Sequence, residues 1–286
     1  MLVTGLMILK LFMGATRRPA EHVLGAFGAT LPMIRMLGGQ GTTWLAKDVV
    51  LKPLDMAPEA LHWQADVLRP LLGREDLRLA APLMAKDGSL IVDGWTAWNR
   101  LEGTSDQPGK WDEIIRAGVR FCELMQHVPR PSFLNSRQDT WAAADRIAWG
   151  EQAPESVLHV RFVSRLLDAL KVQEQVEEPS QIVHGDLTGN VLFSANEGPA
   201  VIDISPYWRP RSYGTAIVLV DALTWEDAPL DWAHGYLGDV VEQQAFIRAL
   251  LFRILSDYLR NPSEPICVGY ERPVELICRL IAFNDM

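Results

Sequence analysis

Along the first hundred residues, apolar positions come in short runs broken by glycine, proline and charged turns, the rhythm of a small antiparallel sheet. Pro32 to Leu37 reads as a strand entering Gly38-Gly39-Gln40-Gly41. Thr42 to Ala46 reads as a second strand, Lys47-Asp48 as its turn, and Val49 to Lys52 as a third. A helix is expected from about Ala57-Pro58-Glu59, where proline suits the first turn, to about Leu72. Arg78 to Met84 and Ser89 to Trp95 read as strands joined by the turn Ala85-Lys86-Asp87-Gly88, and Thr96 to Gly103 as the last strand and its exit. The expectation is a small lobe of five strands and one helix.

Past Thr104 to Lys110, a polar stretch rich in glycine and proline, the period turns helical. Ile115, Val119, Cys122 and Met125 recur at spacings of four and three, ending near His127-Val128-Pro129. His127 reads as a structural cap rather than a catalyst. Further helices are expected over Trp141 to Trp149, Ser156 to Glu174, Thr215 to Trp225, Val240 to Arg260 and Arg272 to Phe283.

One segment interrupts this helical half. Two strand-like runs bracket His184-Gly185-Asp186-Leu187-Thr188-Gly189-Asn190, and a further apolar run, Val201-Ile202, ends in Asp203. Asp, Gly and Asn are ordinary turn formers. They are also what phosphoryl transfer needs: carboxylate and amide oxygens for Mg²⁺, and a carboxylate to orient the attacking hydroxyl.

The pattern resembles the His-Gly-Asp catalytic loop and metal-binding Asp of the aminoglycoside phosphotransferase and choline kinase family, distant relatives of the protein kinases. The resemblance implies an α+β, two-lobed, protein-kinase-like fold, with a small antiparallel-sheet lobe holding one helix and a larger, mainly helical lobe. It divides the chain into an apolar extension (1–18), a nucleotide-binding lobe (19–103) and a catalytic lobe (104–286). By the same resemblance, Asp186 is the catalytic base and Asn190 and Asp203 hold metal. Lys52 and the loop glycines Gly38, Gly39 and Gly41 contact phosphate, and the backbone of Arg100, Leu101 and Glu102 meets adenine. The cofactors are ATP and Mg²⁺, with Mg·ATP between the lobes, and the partner is a small-molecule acceptor. Three residues separate Asp186 from Asn190 where the family has four, and Gly189 permits the tighter path. The helix residue pairing with Lys52 is left open among Glu59, Gln64 and Asp66. After Asp203, no glycine stands where protein kinases place one and no Ala-Pro-Glu follows, which favours a small-molecule kinase. A catalytically inactive nucleotide-binding protein is the alternative. Trp208 and Arg209 either contact substrate or form a rigid corner between Pro206 and Pro210.

Composition narrows the partners. A net charge of -9 and a pI near 5.2 argue against nucleic acid and suit a cationic acceptor, for which Glu226, Asp227 and Asp231 beside Trp225 and Trp232 form a candidate pocket. Cys122, Cys267 and Cys278 form neither a disulfide framework nor a zinc pattern and fit a reducing compartment. The apolar stretch Met1 to Ala15 is too short to span a bilayer, and its charges follow rather than precede it, so the expectation is a cytoplasmic protein without stable membrane insertion.

Overall fold

The computed structural model describes residues 18–36, 41–105, 108–173 and 176–284. The 1–15 stretch and the glycines Gly38 and Gly39 lie outside the described residues. The chain divides into two units, residues 1–69 with 81–100 and residues 70–80 with 101–286.

In chain order the first unit contains α1 (Glu21–Ala26), β1 (Met33–Arg35), β2 (Trp44–Ala46), β3 (Val49–Pro53) and α2 (Pro58–Leu68). After β4 (Arg78–Leu79), which belongs to the second unit, comes β5 (Trp95–Asn99). Strands β1, β2, β3 and β5 form one antiparallel sheet in that order. Its buried face closes on α1: Val23, Leu24 and Phe27 pack with Leu51, Trp95 and Ala97. Replacing the buried Trp95 by Ala in such a core costs about 3–5 kcal/mol.

This sheet has four strands rather than five. Arg78 and Leu79 pair in parallel with Ala200 and Val201 in the second unit. Of the expected 78–84 strand, residues 81–83 run antiparallel to β5 through a single bridge, Pro82 opposite Trp98, with Leu83 N–H donating to Ala97 O at 2.8 Å and Asn99 N–H to Ala81 O at 3.3 Å. The expected 89–95 strand is replaced by a tight turn: Val92 and Trp95 exchange both backbone hydrogen bonds around Asp93 (φ 50°) and Gly94 (φ 74°). Asp-Gly is a favoured pair where both central residues need φ > 0.

The second unit is mainly helical: α3 (Trp111–Met125), α4 (Thr140–Ala148), α5 (Val163–Val172), then after the strands α6 (Arg211–Trp225), α7 (Leu230–His234), α8 (Val240–Arg260) and α9 (Glu271–Asn284). Helix α8 matches its expected bounds and begins with a capping box, Asp239 and Glu242 each accepting from the other's backbone N–H. It is buried along most of its length and packs against α4 and α6. The expected 156–174 helix starts later, at Val163, after a short 3₁₀ turn over Glu155–Val157. Strands β6 (Ser180–His184), β7 (Val191–Leu192), β8 (Ala200–Val201) and β9 (Pro206–Pro210) carry the loops of interest, with β6 paired to β9 and β7 to β8.

Candidate active site

The β6–β9 pairing sets His184 opposite Pro206, and Gly185 N–H donates to Ser205 O at 2.9 Å. A Cβ at position 185 would overlap the Tyr207 ring, which explains glycine there. The chain then turns: Asn190 N–H donates to Leu187 O at 2.8 Å, with Gly189 at φ 81°, a conformation that L side chains rarely adopt. The three-residue spacing is thus accommodated by a glycine turn. Asn190 Nδ2 donates back to Asp186 O at 2.7 Å and to Asp186 Oδ2 at 3.3 Å, which leaves its Oδ1 as the atom able to face a cation.

Asp186 itself is half-exposed and held from several sides. Its N–H donates to His184 Nδ1 at 3.0 Å. Its Oδ1 accepts from Arg253 Nη2 at 2.9 Å. Arg253, buried on α8, also donates from Nε and Nη2 to Asp221 of α6 at 2.7 and 2.5 Å. Burial pushes Asp221 up to about 6 despite the adjacent guanidinium. Neither Arg253 nor Asp221 was expected at the site. The signal that could have found Asp221 is a lone charge inside the apolar run Ile217 to Leu223.

His184 is fully buried, and burial pushes its pKa down to about 4, with the charges of Asp186 and Asp203 opposing that shift. A neutral ring is what its contacts require: Nδ1 accepts from Asp186 N–H while Nε2–H points at Ile202 O, 3.4 Å away. It braces the loop rather than shuttling a proton. Asp203 is exposed, at φ 51°, and follows Ile202, whose N–H donates to Asn190 O at 3.0 Å. The Asn190 and Asp203 segments are therefore tied together through backbone.

Beside Asp186 opens a cavity of about 330 Å³, walled in part by Trp141, Trp225 and Arg253. Trp225 is 49% exposed, unusual for so large an apolar ring. Three other members of the expected acidic pocket make contacts elsewhere. Glu226 accepts from Trp111 Nε1 at 2.5 Å, Asp227 pairs with Arg272 at 3.2 Å, and Trp232 donates to Asp112 at 2.7 Å. Arg209 resolves to the rigid corner: it is buried, hydrogen-bonded to Asp145 and Glu151, and stacked over Trp149. His127 is exposed just past α3.

In the first unit, Lys52 sits on β3, mostly buried, its Nζ 4.9 Å from the Trp98 ring centroid and 3.4 Å from Asp55 Oδ2. Asp55 is a partner not considered from sequence. Of the three helix candidates, Glu59 and Asp66 are exposed on α2, and Gln64 is buried with Nε2 directed at Met56 Sδ. Gly41, at φ 66°, gives its carbonyl to Arg35 Nε at 2.7 Å. After β5, Arg100 N–H is engaged by Asp48 O. In the second unit, Glu102 O accepts from Arg78 at 2.8 Å.

A kinase-like fold with an Asp-Asn loop and a following Asp defines a phosphoryl-transfer class of protein. The sequence matches the profile of the phosphotransferase enzyme family, APH, over residues 34–204, and the chain belongs to that family. Among solved structures, aminoglycoside phosphotransferase APH(4)-Ia in ternary complex with AMP-PNP and hygromycin B is similar with a TM-score of 0.59 at 15% identity, covering 92% of this chain and 98% of that one. A microcompartment-associated aminopropanol kinase gives 0.58 at 15%, over 93% and 95%. Spectinomycin phosphotransferase APH(9)-Ia, solved with ADP and spectinomycin, gives 0.55 at 14%, over 92% and 96%. At these identities the likeness is one of fold. A flagellar protein FliT from Enterobacter sp. (strain 638) is 30% identical over 114 residues, 37% of this chain and 93% of that protein, so the two are related over that stretch. Among the described residues no helix is long and apolar enough to cross a membrane.

Proposed function

We propose that this protein transfers the γ-phosphoryl group of ATP to a hydroxyl of a small molecule. The observation that carries the reading is Asp186: a carboxylate half-exposed beside a cavity, with its backbone fixed by His184 and its side chain by Arg253 and Asn190. The acceptor hydroxyl oxygen attacks the γ-phosphorus, its proton passes to Asp186, and the bond from phosphorus to the ADP oxygen breaks. The solved structures similar to this chain include proteins with ADP, AMP-PNP, spectinomycin and hygromycin B bound, which supports a nucleotide and a small acceptor here.

Asn190 and Asp203 fit a hard divalent cation: both offer oxygen donors, and the Asn190 amide nitrogen is already directed at Asp186. Mg²⁺ held there would neutralise charge on the phosphates. Lys52 and the Gly38, Gly39 and Gly41 loop are assigned to phosphate contacts. Arg100 N–H and Glu102 O are engaged within the protein, and the other backbone groups of Arg100, Leu101 and Glu102 are assigned to adenine. A cytoplasmic location follows as part of the same proposal, since ATP is the donor.

The test is nucleotide binding by calorimetry with and without Mg²⁺, beside acceptor-dependent ADP release. Asp203→Ala is expected to weaken Mg²⁺-dependent ATP binding by about tenfold or more, while Asp186→Ala binds ATP normally and turns nothing over. Near-wild-type turnover in both variants would overturn the assignment.

A further inference from the structure

Three carboxylates, Asp186, Asp221 and Asp257, and two guanidiniums, Arg253 and Arg260, line the cavity, and each carboxylate already has a protein partner. Asp257 accepts from Arg260 at 2.9 Å and from the Tyr270 hydroxyl at 2.7 Å. Asp221 is spent on Arg253. Asp186 is the most exposed of the three, and Arg253 already holds its Oδ1. An ammonium group next to the reacting hydroxyl would therefore face a buried, permanently charged guanidinium and would compete with it for the base.

Arg253 has donors to spare on the cavity side. Its hydrogen bonds run through Nε and Nη2, and among the described residues Nη1 has no hydrogen-bond partner. A guanidinium N–H that meets a ligand in a cavity Arg253 lines calls for an oxygen acceptor. The same cavity is lined by Trp141 and by the half-exposed Trp225, whose ring centroid lies 5.8 Å from the Arg253 guanidinium carbon.

We propose, resting on the phosphotransferase reading, that the acceptor is an uncharged polyhydroxyl compound of monosaccharide size. The C–H face of its ring packs on Trp225, one hydroxyl reaches Asp186, and an adjacent hydroxyl oxygen accepts from Arg253 Nη1. The volume of about 330 Å³ suits a ligand of that size. The net charge of -9 is consequently not a guide to the acceptor's charge, because Glu226 and Asp227, two of the acidic residues expected to meet an amine, are bonded elsewhere.

The experiment uses the full chain with Mg·ATP and matched pairs of neutral monosaccharides or polyols and their amino-sugar counterparts, reading ADP release and tryptophan fluorescence. Variants are Trp225→Ala and the double Asp221→Asn/Arg253→Met, in which neither buried charge is stranded. Within a pair, kcat/KM for the neutral member is expected to exceed the amine by about tenfold or more. Trp225→Ala is expected to raise its KM roughly tenfold with the KM for ATP unchanged, and the double variant to lose the discrimination. An amine preferred by the wild type, discrimination that survives in the double variant, or no saturable response dependent on Trp225 each overturns the inference. Calorimetry with Mg·ATP alone separates the two levels: no nucleotide binding sinks the phosphotransferase reading as well, whereas normal binding with inverted preference sinks only this one.

Discussion

Asp186 must stay exposed to meet a substrate and yet hold one orientation, and its neighbours divide that work. His184 and Asn190 fix the loop, and Arg253 fixes the carboxylate. Asp186→Asn is expected to lower kcat by about 10²–10⁴-fold with little change in ATP affinity, as measured by steady-state kinetics and calorimetry. His184 makes a separate prediction in stability. Its folded pKa, about 4, lies below the ordinary 6.5, so between those values the unfolded chain binds a proton that the native ring refuses. Stability from this residue is full above the ordinary value and is lost as pH falls towards about 4, amounting to about 3 kcal/mol. Urea unfolding of His184→Gln should show a flatter pH dependence across that window than the wild type, and equal slopes would refute the assignment. Asp186, Asn190 and Asp203 were legible in sequence because their chemistry sits within one short loop and its sequel. Arg253 was not. It lies 67 positions from Asp186, in a helix where an arginine reads as a solvent-facing residue.

Two helices and one strand pair carry the site. Helix α8 supplies Arg253 and α6 supplies Asp221, so packing of α6 on α8 and placement of the Asp186 carboxylate are a single structural event. Arg253→Met alone strands the buried Asp221 and is expected to cost about 3–5 kcal/mol, whereas adding Asp221→Asn should recover much of that loss. Chemical denaturation of the two variants checks this, and additive losses would contradict it. On the strand pair, Gly185→Ala drives a methyl into Tyr207 and is expected to destabilise by about 1–3 kcal/mol, together with a fall in kcat. The long amphipathic helices were readable from period alone, α8 to the residue. In the region 78–95 the expected turn at Ala85 to Gly88 forms, Gly88 N–H donating to Ala85 O at 2.9 Å, but the expected strands around it are cut short: only residues 81–83 bridge to β5, and a second turn at Asp93-Gly94 interrupts the 89–95 run.

For the whole molecule, family membership spans residues 34–204 and so includes Lys52, Asp186, Asn190 and Asp203. The rest of the chain, with α6 to α9, supplies Trp225, Arg253 and most of the cavity wall, to which the proposal assigns acceptor choice. Sequence motifs therefore reached the family and the loop of Asp186 and Asn190, and stopped short of the pairings between distant helices that line the cavity beside it. Mg·ATP at a hundred times its Kd is expected to stabilise the protein by about 2.7 kcal/mol, and chelating the metal should remove most of that gain. A thermal-shift titration with and without EDTA checks the metal requirement.

The most direct measurement follows the fate of label from [γ-³²P]ATP incubated with the wild-type protein and a pool of small hydroxylated metabolites, beside Asp186→Ala. The expected result is an organic phosphate ester formed by the wild type and absent with the variant. Label released only as inorganic phosphate, or ester formed equally by both proteins, would contradict transfer to a small-molecule hydroxyl through Asp186.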